Sequence, residues 1–496
     1  MTSSRVTRRF DFTHLVLWIE LSIIAFFCLR PTTDPDYGWH IANGRHVFDG
    51  LTFSARDIYS WTATNVWVAH EWLAEAVMSV VDQSFGPSGN SILFGVTGVI
   101  TYAVLALMLR RRARWAVVLP ALAICFAGSL RSIGARPQML ELMYLVILLN
   151  LIDVYLTRGI TRKTFFLASG VGAALWANTH GSFPLAAAVL VITAVELWLA
   201  KDSHWKDFGV AAVISAVAPL ANPWGWNLYG FATQSITSQT TLVRIEEWQR
   251  PHLTDLLVAP LLLQLGLAAI AAAAVVFKRK RSAVTSHSFP WTLGLLRSLA
   301  FAFLALKSGR HVMLFGIAAA PLIAAGLDLL VRRASFVRSS ARSKDSDKSH
   351  QAKTLINVAA ALIVSVGIIR VAWGNISPSA QRDALAARYP VGIVAGLPKP
   401  LPASERLLNE YGWGGFLIQR GALPVFIDGR SELYGDAQLE RYASIIHLDA
   451  GWRDVLDKLG VTLALMPRDA ALSRALESGG WKIIARDSVG YLFARP

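Results

Sequence analysis

The sequence predicts an all-α polytopic membrane protein of about eleven transmembrane helices, with a C-terminal extracytoplasmic α/β domain. Three observations predict it. Of 496 residues, 54% are hydrophobic and only 16% charged, against about 25% charged in an ordinary soluble domain. Apolar runs approaching or reaching bilayer-crossing length recur along most of the chain. The basic residues stand in short clusters between those runs.

The runs centre on 13–29, 88–109, 115–131, 137–157, 163–178, 183–200, 207–221, 256–277, 289–306, 310–331 and 354–373. The first follows a short basic stretch, Met1 to Arg9, and imitates a signal peptide. No small-residue cleavage site follows it, so it reads as an uncleaved helix. Lys and Arg gather in short cytoplasmic loops. With the N-terminus inside, that side also receives Arg110 to Arg114, Arg158 to Lys163, Lys201 with Lys206, Lys278 to Arg281, and the Ser/Lys/Arg-rich segment 332–353. The last has little to bury and is expected to be a flexible cytoplasmic loop. One miscounted span would scramble this alternation, so the charges support the count as well as the direction.

The net charge of +15 therefore reads as contact with anionic membrane lipids, and nucleic-acid binding is excluded. Cys28 and Cys125 each lie inside an apolar run, which speaks against a disulfide, a zinc site or a thiol nucleophile. Residues 1–374 are expected to form the transmembrane domain, with 30–87 as its first outer loop. Residues 375–496 are expected to form the soluble domain. Within it, 423–428 and 461–466 read as buried strands, 437–447 and 452–459 as helices, and 481–485 with 490–494 as a closing hairpin.

Polar residues with chemical capability collect on the outer side. The first outer loop holds Asp34-Pro35-Asp36-Tyr37-Gly38-Trp39-His40. Two carboxylates separated by one stiff residue can supply a general base, or hold a divalent cation, Mg or Mn, against a phosphate. Asp-Pro-Asp is also a common helix start, in which Asp36 merely caps. His70-Glu71 is no zinc-protease motif, since Ala74 stands where a second His is needed. Trp39, Trp61, Trp67 and Trp72 read by default as an interfacial aromatic belt, the alternative being stacking surfaces for a sugar or lipid chain. Arg131, Arg136 and Arg310 break the positive-inside pattern. They can grip a phosphate or snorkel to head groups. Asn178-Thr179-His180-Gly181 and Asn222-Pro223-Trp224-Gly225 end spans on the same side, and Glu246-Glu247-Trp248 lies in the second long outer loop.

Taken together, these stretches resemble the GT-C superfamily, the polytopic membrane glycosyltransferases that use lipid-phosphate-linked sugars. The resemblance is to an uncharacterised bacterial group within it. It is carried by Asp36 to Arg45, Asp57-Ile58-Tyr59-Ser60, Glu71-Trp72-Leu73, Asn178 to Gly181, Asn222 to Gly225 and Glu246 to Trp248. In the tail, Tyr411 to Gly415 and Phe426 to Gly435 fit the same group. Asp428-Gly429-Arg430 matches no acceptor motif of a characterised member.

The resemblance implies transfer of a sugar from a polyprenyl-phosphate donor to a lipid, glycan or protein acceptor, at the outer face of a bacterial inner membrane. Asp36, or else Asp34, would be the base. Arg131, Arg136 and Arg310 would hold the donor phosphate, and His40, Glu71, His180 and Glu246 would line the cavity. A divalent cation at Asp34 and Asp36 is compatible but not required. Two other readings stay open: a transporter or flippase of a lipid-linked substrate, and a non-catalytic anchor for the tail.

Overall fold

The computed structural model describes residues 11–48, 57–237, 248–252, 258–281, 294–335, 347–422 and 424–496. Among the described residues, every apolar run read from the sequence contains a helix. In chain order these are α1 (Phe12–Cys28), then α2 (Tyr37–Phe48) in the first outer loop, α3 (Trp72–Arg110), α4 (Trp115–Ser129), α5 (Gln138–Leu156), α6 (Arg162–Thr179), α7 (Pro184–Leu199), α8 (Trp205–Val217) and α9 (Asn227–Thr237). They continue with α10 (Ala259–Arg281), α11 (Leu295–Lys307), α12 (Val312–Ser335) and α13 (Asp347–Ile376). Among the described residues, five helices are long and apolar enough to cross a membrane: α3, α5, and segments Ala259–Val276, Gly309–Arg332 and Lys353–Ile376. α1, α4 and α7 are apolar but shorter. α13 leaves Leu355, Ile363, Val366 and Ile369 largely exposed. Such a stripe is stable where lipid covers it. The segment 336–346 of the expected cytoplasmic loop lies outside the described residues.

Three acidic residues within the helices are satisfied locally, whereas Glu20 and Glu141 each keep one buried carboxyl oxygen without a hydrogen-bond partner. Asp153 is held by Arg111 and Arg112 at 3.2 and 2.5 Å, and Asp328 by Arg114 and Arg332 at 2.9 and 2.5 Å. Glu196 accepts the backbone N–H groups of Gly294 and Leu296 at 3.1 and 2.7 Å. It thereby caps the start of α11, where unpaired donors need an acceptor.

The first outer loop is largely helical. It contains α2 and the opening turns of α3. The α3 axis breaks at Gly86, whose φ of 64° suits glycine, and Pro87 follows inside the helix. The tail begins with a helix, Pro378–Arg388, and builds a four-stranded sheet of order β1-β2-β4-β3. β1 (Leu407–Asn409) is parallel to β2 (Leu463–Pro467). β4 (Gly490–Ala494) is antiparallel to both β2 and β3 (Lys482–Arg486). Helices Ser431–Ile446 and Trp452–Leu459 match the expected helices, and β3 with β4 is the expected hairpin.

The expected strand at 423–428 is not a sheet strand, and Leu423 itself lies outside the described residues. Val425, Phe426 and Ile427 are fully buried, as their apolarity requires. Their backbone groups are nevertheless paired elsewhere. Val425 exchanges hydrogen bonds with Tyr59 and Trp61 of the first outer loop, at 2.8 and 3.1 Å. The Asn409 side chain accepts from the Phe426 N–H and donates to the Ile427 carbonyl, both at 2.8 Å.

The tail and the first outer loop thus share one core. Trp39, Tyr59 and Trp67 pack with Phe416, Phe426, Leu433 and Phe231 of α9. At the join stands Arg430, 1% exposed. Its guanidinium contacts Asp57 at 2.6 Å and Asp428 at 2.7 and 2.8 Å. It also lies over the rings of Tyr59 and Trp67, at 5.2 and 5.3 Å. The four tryptophans are therefore not a belt: Trp39 and Trp67 are buried, Trp61 packs on Phe426, and Trp72 donates to Asn178 at 2.7 Å.

Removing one partner of a buried ion pair costs about 3–5 kcal/mol, because the other charge is left buried and unpaired. Arg430→Ala is expected to destabilise by that order, read as a lowered unfolding midpoint of the detergent-purified chain. Arg420→Ala, at an exposed position, is expected to stay within about 0.5 kcal/mol. Equal effects from both would show that Arg430 is not the join.

Candidate functional site

The two carboxylates of the Asp-Pro-Asp turn have different partners. Asp34 makes the turn: its Oδ1 accepts the Asp36 N–H at 3.0 Å, a local turn that leads into α2. Its Oδ2 faces Arg136 at 3.4 Å. Asp36 has no capping bond. Its Oδ1 accepts the Trp39 indole N–H at 2.9 Å. Trp39 in turn lies against the His40 ring, centroids 3.7 Å apart, and meets Trp67 edge-on at 5.6 Å. Burial and the nearby Asp34 charge push the Asp36 carboxyl up to about 6, while His40, the Trp39 bond and Arg136 pull the other way.

The tail closes directly on this turn. A Cβ at Gly429 would meet Asp36 Oδ1 at 1.7 Å, and one at Gly38 would meet the Gly415 carbonyl at 2.1 Å. A Cβ at Gly415 would meet the Pro35 carbonyl at 2.3 Å. Glycine at these places is what lets the tail backbone reach the aspartates.

Behind the turn lies a charged cluster. The N-terminal residues of α3 carry Glu71 and, one turn on, Glu75; the end of α6 carries His180. Glu71, 8% exposed, faces three imidazoles: His70 at 3.3 Å, His180 at 3.6 Å and His40 at 3.9 Å. His40 also meets Glu75 at 3.2 Å. Burial alone would raise the Glu71 carboxyl, yet the imidazoles outweigh it and hold the group below the usual carboxylate range. Burial likewise disfavours charged His40 and His70, and the glutamates reverse that, raising both. Burial takes His180 down to about 3; Glu71 opposes this, and Arg310, His70 and Arg136 reinforce it. The cluster therefore holds two imidazoles that favour their protons, and one neutral imidazole whose Nδ1 lies 2.7 Å from Ser182 Oγ.

The sequence-read residues Asp34, Asp36, His40, Glu71, Arg136 and His180 come together here. Arg310 is within electrostatic reach of His180, and its guanidinium lies over Trp248 at 5.0 Å. Arg131 is exposed on the turn after α4. Glu246 lies outside the described residues. Four contributors were not read from the sequence: His70, Glu75, Trp39 as a ligand of Asp36, and Gly429. Glu75 carried a signal, since it stands four residues after Glu71 and so on the same helix face. Among the described residues no group of three or more His, Cys, Asp or Glu side chains is placed to hold a metal ion. A cation at Asp34 and Asp36 would need phosphate oxygens and water to complete its shell.

The architecture is similar to three solved structures. Oligosaccharyltransferase AglB from Archaeoglobus fulgidus, in complex with an inhibitory peptide and a dolichol-phosphate, aligns with a TM-score of 0.56 at 13% identity, over 90% of this chain and 69% of that one. The apo form of the Archaeoglobus fulgidus oligosaccharyltransferase aligns with a TM-score of 0.53 at 14% identity, over the same shares. ArnT from Cupriavidus metallidurans, bound to undecaprenyl phosphate, aligns with a TM-score of 0.50 at 16% identity, over 97% of both chains. The chain shares the fold of these three structures. No protein-family model matches the sequence, and no curated protein matches it either.

The contact between Gly429 and Asp36 can be measured by a double-mutant cycle. Gly429→Ala is expected to destabilise the wild type, and to cost at least about 1 kcal/mol less in an Asp36→Ala background. Additive effects in thermal unfolding would mean that the tail does not rest on Asp36.

Proposed function

We propose that the chain is a membrane glycosyltransferase, taking a sugar from a polyprenyl-phosphate donor at the outer face and passing it to an acceptor hydroxyl or amide. One observation carries the proposal. Asp36 is spared capping duty, which Asp34 performs, and its carboxylate lies within electrostatic reach of Arg136, whose guanidinium faces Asp34 at 3.4 Å. The shared fold, and the lipid phosphates bound by AglB and ArnT, support the donor class.

In this reading the acceptor proton passes to Asp36 as the acceptor atom bonds to the sugar's C1. The bond from C1 to the phosphate oxygen breaks, and the polyprenyl phosphate leaves. Arg136 and Arg310 neutralise the charge that grows on it. Arg131, exposed on its turn, would meet the donor outside the cluster. The Glu71 cage fixes His40 beside Asp36. A Mg or Mn ion between the aspartates and the phosphate would add further neutralisation, which guanidinium groups also supply. The acceptor can be a lipid, a glycan or a protein. In this reading the tail covers the site from the extracytoplasmic side. Transport fits less well, because Asp153, Glu196 and Asp328 have structural partners, and the helix carboxyls that keep an unpartnered buried oxygen among the described residues, Glu20 and Glu141, are too few to form an ionisable path.

Two outcomes test this. In liposomes given radiolabelled polyprenyl-phosphate sugars and extracted membrane acceptors, Asp36→Asn is expected to lose at least 100-fold in transfer, the order of general-base catalysis. Asp34→Asn is expected to lose less. Equal transfer by wild type and Asp36→Asn would remove Asp36 as base. The second outcome is a pH profile. The base works deprotonated, so kcat/KM should rise with pH through about 6 and level off above. His40→Asn removes a charge that lowers the Asp36 pKa, so the rising limb should move to higher pH. A limb that stays in place would separate His40 from Asp36.

A further inference from the structure

Between the first outer loop, α9 and the tail lies a cavity of about 170 Å³. It stands apart from the aspartate turn but is joined to it by rings. Trp67, a wall of the cavity, meets Trp39 edge-on, and Trp39 donates to Asp36. The second aromatic wall, Phe231, carries His70 against one face, with centroids 4.2 Å apart. Trp67 has the Arg430 guanidinium over its ring. Three polar side chains complete the lining: Asn227 and Gln234 from α9, and Glu432 from the tail. Trp67 is 9% exposed, and its indole Nε1 has no hydrogen-bond partner.

The chemistry of this lining is mixed in a particular way. Two aromatic walls offer apolar area with an electron-rich face, which suits the C–H side of a flat polar ring. Two amides and one carboxylate offer both donors and acceptors within the same small volume. A lipid chain would leave those polar groups unpaired, at a cost. A phosphate would face the Glu432 carboxylate. A ring bearing several hydroxyls satisfies both halves of the lining, and the volume is of the order of one such ring.

The geometry points to a saccharide-binding subsite at this cavity, taking one sugar ring of a glycan acceptor and presenting it toward Asp36. The inference rests on the transferase reading for the role of the sugar, but not for its binding. Glu432 and Gln234 would hold hydroxyls, and Phe231 and Trp67 would pack on the ring. Val66, 63% exposed, sits at the rim. The tail's Ser431-Glu432 follows Asp428-Gly429-Arg430, so the segment that closes on Asp36 would also select the acceptor.

The test reads binding without turnover. Methyl glycosides of glucose, mannose and N-acetylglucosamine are offered to the full-length detergent-purified protein, and contact is followed by saturation-transfer NMR. At least one glycoside is expected to bind wild type and Asp36→Asn alike. Its affinity is expected to fall at least tenfold in Glu432→Ala and in Val66→Trp, the latter filling the cavity from an exposed position without touching the core. Absence of binding by all three glycosides would overturn the subsite. So would binding unaffected by either variant, or a serine-containing peptide that binds through the same residues in place of the sugars. Transfer to lipid acceptors with no glycoside binding would sink the subsite and leave the transferase standing. Glycoside binding with no transfer from any donor would do the reverse.

Discussion

A guanidinium with no exposed surface persists only where every charge around it is paired, and Arg430 sets that condition for the part of this protein that holds the aspartate turn. It binds Asp57 from the first outer loop and Asp428 from the tail in one dry place. The Tyr434 hydroxyl donates to Asp428 at 2.6 Å and completes the arrangement. Two segments more than 370 positions apart are thereby held in one register. Once they are, Gly429 lies on Asp36, Gly415 lies on Gly38, and Trp67 meets Trp39. The candidate base is positioned by the tail as much as by its own helix.

The cluster behind Asp36 follows from the same closure. Glu71 and Glu75 are buried because the loop is pressed between α6 and the tail. Buried carboxylates at this density need cations or protons nearby. The three imidazoles and Arg136 supply them. Such an arrangement keeps a polar, charged site in place at the edge of an apolar helix assembly, where a single stray charge would be costly. It also places a raised carboxyl, two imidazoles whose proton affinity the glutamates raise, and a guanidinium within one small region, a combination suited to moving a proton while neutralising a phosphate.

The helices were legible because membrane crossing imposes length and apolarity that few other constraints imitate, so every apolar run contains a helix among the described residues. The hairpin and two helices of the tail were legible from their periodicity. What the sequence hid were pairings across distance. Val425 to Ile427 has the apolarity of a core strand, but its hydrogen bonds go to Tyr59, Trp61 and Asn409, which no local pattern announces. The tryptophans looked like a belt because composition cannot tell a lipid interface from a protein one. On paper Asp36 was preferred to Asp34 only because it leads the longer resembling stretch; the direction of two hydrogen bonds is what separates the turn-maker from the candidate base. Gly429 and Arg430 were visible as a motif without a role, and the role is contact with the first outer loop.

The central claim is that the aspartate turn, Arg136 and the tail enclose one site for a lipid-linked phosphate. The most direct measurement is a cryo-electron microscopy map of the purified chain with undecaprenyl phosphate. The account predicts phosphate density beside Arg136, on the same side as Asp36 and Gly429, with the polyprenyl chain leaving between helices. Phosphate density seated instead at the basic cluster Arg110 to Arg114, with the aspartate turn empty, would contradict it.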